Sequence, residues 1–373
     1  MSGSEPPPEL REKTEAASRE IEAGNLEAAQ NLLLPLQKKY PSDARVLELL
    51  GVVRYHQEKY AEAADYFGQS CAAAPQEPAA WVWRGRALAS AEDHAAAEEA
   101  FARALALEPD NLHALFYSGE NGLWAQEWDR AVERFERYVA LVPDNPGGWV
   151  GVGRAYNGKD DHASATEAFE KALALDGNHL AALLHGGYNY LESKEYAKAV
   201  GLFSRYVTGA PDYFGGWAAL GYAYDDMENY GRAREAYRKA TELNPEHYYS
   251  WINLGRMHDE LEDYNEALEA YLKAIALDRA VGEAWAKAAY VCIELGEYER
   301  AEKLLAKAES VEPDLKEIIC YRARMALQRG ERERGFALLR DLVAKNPGCK
   351  ECLPTKEDFE AWWGEEEFKE IYR

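Results

Sequence analysis

The sequence predicts an all-α protein, built as a solenoid of about ten tandem helix hairpins. Three residue series with the same period carry this prediction. The first series is seven glycines that stand 34 residues apart: Gly51, Gly85, Gly119, Gly153, Gly187, Gly221 and Gly255. A series of small residues and a series of rings or leucines keep the same period. A fixed period of this length indicates identical two-helix repeats that stack in one dimension.

The repeat at residues 214–247 shows how each helix is predicted. The residues of the first apolar stripe recur at helical spacing: Trp217, Leu220, Gly221 and Tyr224. After the polar break at Glu228 and Asn229, a second stripe follows: Tyr230, Ala233, Tyr237, Ala240 and Leu243. Pro245 ends the second helix because proline lacks the amide hydrogen that the next turn needs. We expect Gly221 and Ala233 to lie where the two helices cross.

The spaced Trp, Leu-Gly, Tyr, Ala, Phe and Pro residues resemble the signature of the tetratricopeptide repeat family. This resemblance implies a right-handed solenoid whose first helices line a concave groove, where extended peptides or partner helices bind. Chaperone-binding members of the family clamp a peptide carboxylate with Lys and Asn four residues apart. Here the corresponding pairs are Val82 with Arg86 and Val150 with Arg154, so a co-chaperone role is not expected.

The period also predicts the boundaries of the array. Ten repeats are expected at residues 10–43, 44–77, 78–111, 112–145, 146–179, 180–213, 214–247, 248–281, 282–315 and 316–349. Residues 1–9, with three consecutive prolines, are expected to be disordered. Residues 350–373 carry Phe359, Trp362, Trp363, Phe368 and Ile371, which predict a capping helix that closes the open end.

One substitution pattern predicts specific contacts between neighbouring repeats. Near the end of the second helices, Tyr138 and Tyr206 stand where other repeats have small residues. Ten residues after each lies a glycine, Gly148 and Gly216. Because close-packed interiors conserve local volume, we expect Tyr138 to contact Gly148 and Tyr206 to contact Gly216.

Composition narrows the classes of function. The net charge of −23 disfavours nucleic acid as a ligand and favours partners with basic groups. No long apolar run and no secretion signal is present, and five cysteines do not form a disulfide framework, so a soluble cytoplasmic protein is expected.

Motif-like strings do not support catalysis, a cofactor or a metal site. Gly153 to Asp160 resembles a phosphate-binding loop but lacks the Ser or Thr after the lysine, and Gly153 is already explained by the repeat. Cys349 and Cys352 have the spacing of half a zinc site without its other half; incidental thiols are favoured, with redox or metal use as the alternative. His94 and His162 replace the tyrosine of other repeats and are expected to be packing residues. We therefore predict no enzyme activity, no cofactor and no bound metal.

The face of the first helices opposite their apolar stripe is the predicted binding surface. It alternates Arg and Tyr, which anchor many protein interfaces. Its candidate residues are Trp83, Arg86, Tyr117, Arg154, Tyr188, Tyr222, Tyr249, Arg256, Tyr290, Tyr321 and Arg324. An acidic ladder of Glu192, Asp226, Glu260 and Glu294 stands at the ends of the first helices. Carboxylates there oppose the helix dipole, so they are expected either to receive a basic partner or to pair with neighbouring repeats.

Two functions follow as hypotheses. The first is a non-enzymatic scaffold or adaptor that binds a peptide segment or a partner helix in the concave groove, through basic or aromatic anchors of the partner. The alternative is a regulatory or assembly subunit that acts through the convex face or the aromatic carboxyl-terminal cap, including by self-association.

Overall fold

The computed structural model describes residues 7–345 and Trp362. Within these residues the chain forms 20 helices and no strand, which confirms the prediction of an all-α fold. The helices are α1 Pro8–Glu22, α2 Leu26–Lys39, α3 Ala44–His56, α4 Tyr60–Ala73, α5 Pro78–Ser90, α6 His94–Leu107, α7 Leu112–Trp124, α8 Trp128–Leu141, α9 Pro146–Gly158, α10 His162–Leu175, α11 Leu180–Glu192, α12 Tyr196–Gly209, α13 Phe214–Asp225, α14 Tyr230–Leu243, α15 Tyr248–Glu260, α16 Tyr264–Leu277, α17 Gly282–Glu294, α18 Tyr298–Val311, α19 Lys316–Gln328 and α20 Arg332–Lys345. Odd-numbered helices are the first helices of the repeats, and even-numbered helices are the second.

The chain divides into two compact parts, Met1–Lys194 and Glu195–Arg373, called here the amino-terminal half and the carboxyl-terminal half. In each half, consecutive helices pack against each other, and first helices of neighbouring repeats also touch, as α5 touches α7 and α17 touches α19. Each half is therefore a row of stacked hairpins.

The ends of the chain differ in part from the sequence-based expectation. Helix α1 begins at Pro8, so residues 8 and 9 are helical and do not belong to the predicted disordered tail. Proline fits this first position because its amide would lack a helical partner anyway. The rest of that tail, and the predicted cap apart from Trp362, lie outside the described residues. Trp362 is partly buried and packs against the apolar cluster of the last hairpin, which is formed by Ala323, Leu327, Phe336 and Leu339.

The repeated glycines make room for the repeated rings. A methyl group on Gly85 would lie 2.6 Å from Cε1 of Phe101, 16 residues later in the same hairpin. The same relationship joins Gly51 to Phe67, Gly119 to Phe135, Gly153 to Phe169, Gly221 to Tyr237 and Gly255 to Tyr271. The glycine on the first helix thus leaves space for a buried ring on the second helix, at the place where the two helices cross. Gly153 also lies inside α9, which agrees with its structural role.

Five first helices carry a tryptophan that forms a hydrogen bond to the preceding repeat. Trp149 Nε1 donates to the carbonyl oxygen of Pro143 at 2.8 Å, and Trp217 Nε1 donates to that of Pro211 at 2.8 Å. Trp285 donates to Arg279 in the same way at 3.1 Å. Arg279 replaces the usual proline without loss of this bond, because the acceptor is a backbone oxygen.

Two histidines that were expected only to pack also form hydrogen bonds. His94 Nδ1 lies 3.0 Å from Oδ1 of Asn121, and His162 Nδ1 lies 3.2 Å from Oδ1 of Asn189. Each asparagine also donates from Nδ2 to the backbone oxygen of its histidine. The pairing explains why both asparagines are buried, because a buried amide needs such partners.

Candidate functional site

The candidate surface is built from equivalent positions on the first helices. In the amino-terminal half these positions hold Arg86 on α5, Glu120 on α7, Arg154 on α9 and Tyr188 on α11. In the carboxyl-terminal half they hold Tyr222 on α13, Arg256 on α15, Tyr290 on α17 and Arg324 on α19. We call this set the Arg-Tyr stripe.

Three arginines of the Arg-Tyr stripe are paired with a carboxylate of the preceding repeat. Arg154 Nη1 lies 3.1 Å from Oε1 of Glu120. Arg324 Nε lies 2.7 Å from Oε1 of Glu294, which also accepts from Gln328.

The third pair joins Arg256 to Asp225. Arg256 donates to both carboxylate oxygens of Asp225, and Asp225 is only 8% exposed. Such bidentate bonds are the strong ones, because both partners are charged and their planes match. Glu294 of the acidic ladder is therefore paired within the chain, which is the charge-pairing alternative for that residue. Asp225, which is next to Asp226 of the ladder, is paired within the chain as well.

Arg86 has a different environment, a cage of aromatic rings. Its guanidinium carbon lies 4.2 Å from the ring centroid of Trp83, 4.3 Å from that of Tyr117 and 5.3 Å from that of Tyr55. Among the described residues, no carboxylate forms an ion pair with Arg86. The structure thus brings together three predicted site residues, Trp83, Arg86 and Tyr117, and adds Tyr55.

Two cavities flank this cage. A cavity of about 380 Å³ is lined by Tyr55, Arg86, Tyr117, Glu120 and Trp124, among others. A smaller one of about 140 Å³ is lined by Val82, Trp83, Arg86, His113 and Tyr117. The carboxylate of Glu120, which lines the larger cavity, is neutralised by Arg154. Arg86 therefore has no ion-pair partner among the described residues around these cavities.

The ends of the first helices in the carboxyl-terminal half carry carboxyl groups with raised pKa values. Asp226 is exposed as a residue, but the partial burial of its carboxyl group, and then the charge of Asp225, raises its pKa. Burial also raises the pKa of Asp259 to about 7, against the opposing effect of Lys287. Glu260 next to it is exposed. For Asp226 and Asp259 alike, the low polarity of the surroundings disfavours the charged form of the carboxyl group.

The tyrosines of the carboxyl-terminal half differ in how far they reach solvent. Tyr222 and Tyr249 are exposed, and Tyr249 packs on Tyr248 with ring centroids 4.2 Å apart. Tyr290 and Tyr321 are neighbours with ring centroids 5.1 Å apart, and Arg324 lies over Tyr290. Tyr321 is only 9% exposed, so little of its surface faces solvent. In the other half Glu192, the first residue of the acidic ladder, lies 3.5 Å from Nδ1 of His162.

Two residues of the surface were not predicted from the sequence. Trp124 lines the larger cavity and is 70% exposed, and Tyr55 forms part of the Arg86 cage. Trp124 occupies the same repeat position as Glu192, Asp226, Glu260 and Glu294, two repeats before the acidic ladder begins. A large aromatic residue at a repeat position that holds carboxylates later in the chain is the signal from which Trp124 could have been predicted.

The described residues contain neither a metal-binding cluster nor a membrane-spanning helix. Over residues 7–345, no group of three or more His, Cys, Asp and Glu side chains is arranged to hold a metal ion. Cys349 and Cys352 lie outside the residues that the structure describes. No helix in the described part is both long and apolar enough to cross a membrane.

Comparisons with known proteins agree with this architecture. Three models of the tetratricopeptide repeat match the chain: one at residues 14–78, 123–179, 153–214 and 218–281, another at 260–318 and a third at 78–111. The first alone covers more than half of the chain. The comparison with curated proteins gave no match.

Several solved structures are similar to the chain. A tetratricopeptide repeat protein from Parabacteroides merdae has a TM-score of 0.54 and 15% identity, over 67% of this chain and 98% of that one. YrrB, described as having an unusual peptide-binding site, has a TM-score of 0.47 and 19% identity, over 54% of this chain and 100% of its own. MamA from Desulfovibrio magneticus RS-1 has a TM-score of 0.43 and 26% identity, over 45% of this chain and 95% of its own.

The fold and the surface define a class of protein, the helical-repeat scaffold for protein interactions. The chain belongs to the tetratricopeptide repeat family, and its fold is an all-α solenoid of such repeats.

Proposed function

We propose that this chain is a cytoplasmic, non-enzymatic adaptor that binds an extended segment or a helix of a partner protein on its first helices. One observation carries the proposal. The aromatic side chains that are most exposed among the described residues all belong to first helices or to the residue that precedes one. They are Trp124 (70%), Tyr249 (54%), Tyr213 (48%), Tyr222 (48%) and Tyr188 (41%).

Exposed aromatic side chains that are grouped on one set of helices are typical of an interaction surface. Tyrosine and tryptophan combine large apolar area with a polar group and few rotatable bonds, and they are enriched among residues that dominate binding energy. The second helices bury their rings instead, as Phe101 and Phe135 show. The repeats therefore separate a packing role for the second helices from a recognition role for the first.

Charge supports a partner with basic groups in the carboxyl-terminal half. There Asp226 and Glu260 are exposed and form no ion pair with any described residue, whereas Asp225 and Glu294 are neutralised by arginines. The net charge of −23 steers a cationic segment toward the protein before contact.

The experiment is affinity capture from the native cell, followed by affinity measurement with the purified partner. Tyr222→Ala and Tyr249→Ala, and separately Asp226→Lys with Glu260→Lys, are expected to weaken binding about tenfold or more. The matched control is Glu235→Lys with Glu269→Lys, which makes the same charge change at exposed positions of α14 and α16. Equal affinity of the test and control variants would contradict the proposal.

The alternative function, assembly through the carboxyl-terminal cap, has a direct test as well. Trp362 packs against the last hairpin, which favours a cap that covers this end of the chain. Deleting residues 354–373 is then expected to expose the apolar end and to promote self-association in light scattering. If the full chain self-associates and the deletion makes it monomeric, the alternative is the better account.

A further inference from the structure

Arg86 differs from the other arginines of the Arg-Tyr stripe in the residues that stand about one repeat earlier in the chain. Arg154, Arg256 and Arg324 take their carboxylates from residues 34, 31 and 30 positions earlier, which are Glu120, Asp225 and Glu294. At the same three separations from Arg86 the chain has Val52, Tyr55 and His56. The chain therefore supplies no carboxylate to Arg86 from any of the positions that supply one elsewhere.

The aromatic cage holds the guanidinium without satisfying its hydrogen bonds. The centroids of Trp83 and Tyr117 lie 4.2 Å and 4.3 Å from the guanidinium carbon, at distances typical of cation–π contacts. Ring faces attract the charge but accept no conventional hydrogen bond from the five N–H groups of arginine. Arg86 is thus fixed in place and retains its donors for a ligand.

The two cavities beside Arg86 indicate the shape of that ligand. The larger, about 380 Å³, extends toward Tyr55 and Trp124, and the smaller, about 140 Å³, extends toward Val82 and His113. Both share Arg86 and Tyr117, so the charged group stands where the two cavities meet. In the larger cavity Glu92 and Glu120 are also present, and Glu120 is neutralised by Arg154.

We propose that Arg86 binds the carboxylate of an Asp or Glu in the partner segment, with apolar side chains two residues before and after it in the two cavities. In an extended peptide, residues two apart point to the same side and lie about 7 Å from each other. The proposal rests on the proposed function and adds the chemistry of the partner: an acidic residue between apolar ones for the amino-terminal half.

The test uses two synthetic peptides that differ in one group. They are acetyl-Phe-Ala-Asp-Ala-Phe-amide and the same peptide with Asn in place of Asp. Binding to the full chain is measured by calorimetry and by the indole NMR signals of Trp83 and Trp124. We expect the Asp peptide to bind at least about tenfold more tightly, because its carboxylate pairs with the guanidinium charge and can accept two hydrogen bonds, whereas the Asn amide is neutral and offers one acceptor oxygen.

Two variants assign the preference to Arg86. Arg86→Gln is expected to abolish the difference between the two peptides. Val52→Glu should do the same with Arg86 still present, because it places a carboxylate 34 residues earlier, as Glu120 does for Arg154. Arg84→Gln is the control, since Arg84 lies over Trp81 outside the cage and should retain the full preference. Circular dichroism and the unfolding midpoint of each variant verify folding.

Equal binding of the two peptides, no binding of either, or an unchanged Asp preference in Arg86→Gln would overturn the carboxylate site. These outcomes are separable from failure of the proposed function. Partner capture that still depends on Tyr222 and Asp226 would leave the adaptor function in place while the Arg86 site is rejected.

Discussion

Tyr206 fills the space that a side chain at position 216 would occupy. A methyl group on Gly216 would lie 2.5 Å from Cδ1 of Tyr206, and one on Gly148 would lie 2.7 Å from Cδ1 of Tyr138. Both contacts were predicted from sequence and are confirmed. A large residue on a second helix is matched by the smallest residue on the following first helix because the interior conserves local volume.

This contact predicts that Gly216→Ala has opposite effects on stability in the presence and in the absence of the Tyr206 ring. Gly216→Ala should destabilise the protein by about 1–3 kcal/mol, since the methyl group overpacks the site. In a Tyr206→Ala background the same change should stabilise it by about 0.5–1 kcal/mol, because alanine is the better helix former and the space is open. Urea unfolding of the four proteins measures both values, and the same sign in both backgrounds would refute the contact.

The turn between the two helices of each repeat requires a left-handed residue. At one position per repeat φ is positive, and glycine occupies it at Gly24, Gly296 and Gly330. Seven other repeats place a residue with a Cβ there, including Glu92 with φ 64° and Glu228 with φ 56°. A left-handed conformation costs a residue with a Cβ about 1–2 kcal/mol relative to the right-handed one.

We therefore expect Glu228→Gly to raise the free energy of unfolding by about 0.5–1 kcal/mol, after allowance for the greater freedom of glycine in the unfolded chain. Gly296→Ala should lower it by about 1 kcal/mol. Gly201→Ala is the matched control: Gly201 is in a helix, a methyl group there meets nothing within 4 Å, and the change should stabilise. Thermal unfolding midpoints decide the signs.

Breaking the buried Asp225–Arg256 pair should destabilise the protein more than breaking an exposed ion pair. Asp225→Ala should destabilise the protein by about 2 kcal/mol, because Asp225 is buried and its removal leaves the guanidinium without its bidentate acceptor. Asp110→Ala breaks the pair of Asp110 with Arg137, whose side chains are 66% and 41% exposed, and should cost less than about 1 kcal/mol. Similar losses for the two variants would contradict the structural role given to Asp225.

The raised pKa of Asp259 predicts that the stability of the protein depends on pH. Burial raises the pKa of Asp259 in the folded protein to about 7, above the value of about 4 expected when unfolded. Between these values the unfolded state releases the proton while the folded state retains it, so this group's contribution to stability falls as pH rises from about 4 to 7.

Asp259→Asn removes that titration. The variant should resemble the parent protein at pH 4 and exceed its stability at pH 8, by about 1 kcal/mol once solvent screening is allowed for. The measurement is the unfolding midpoint of both proteins across this range. A difference that does not grow with pH would show that Asp259 is ionised in the folded state below pH 7.

The sequence predicted most of the fold but less of the candidate surface. Gly85 and Phe101 belong to one hairpin and recur with the period, so the pattern predicts where each lies on its helix, whereas the contact between the glycine and the ring is a finding of the structure. The partner of an arginine is not local in this sense. The carboxylates that pair with Arg154, Arg256 and Arg324 lie at three different distances along the sequence. Only the folded structure shows which carboxylate each arginine contacts.

The sequence by itself determined the all-α class, the 34-residue repeat and the contacts of Tyr138 and Tyr206, because helical periodicity and volume conservation act between neighbours in a regular array. The tertiary structure decided which charges of the first helices are neutralised within the chain. It showed three paired arginines and a fourth, Arg86, held by Tyr55, Trp83 and Tyr117. The physical reason is that charge pairing depends on side-chain reach and direction across repeats, which the spacing of residues in the sequence does not specify.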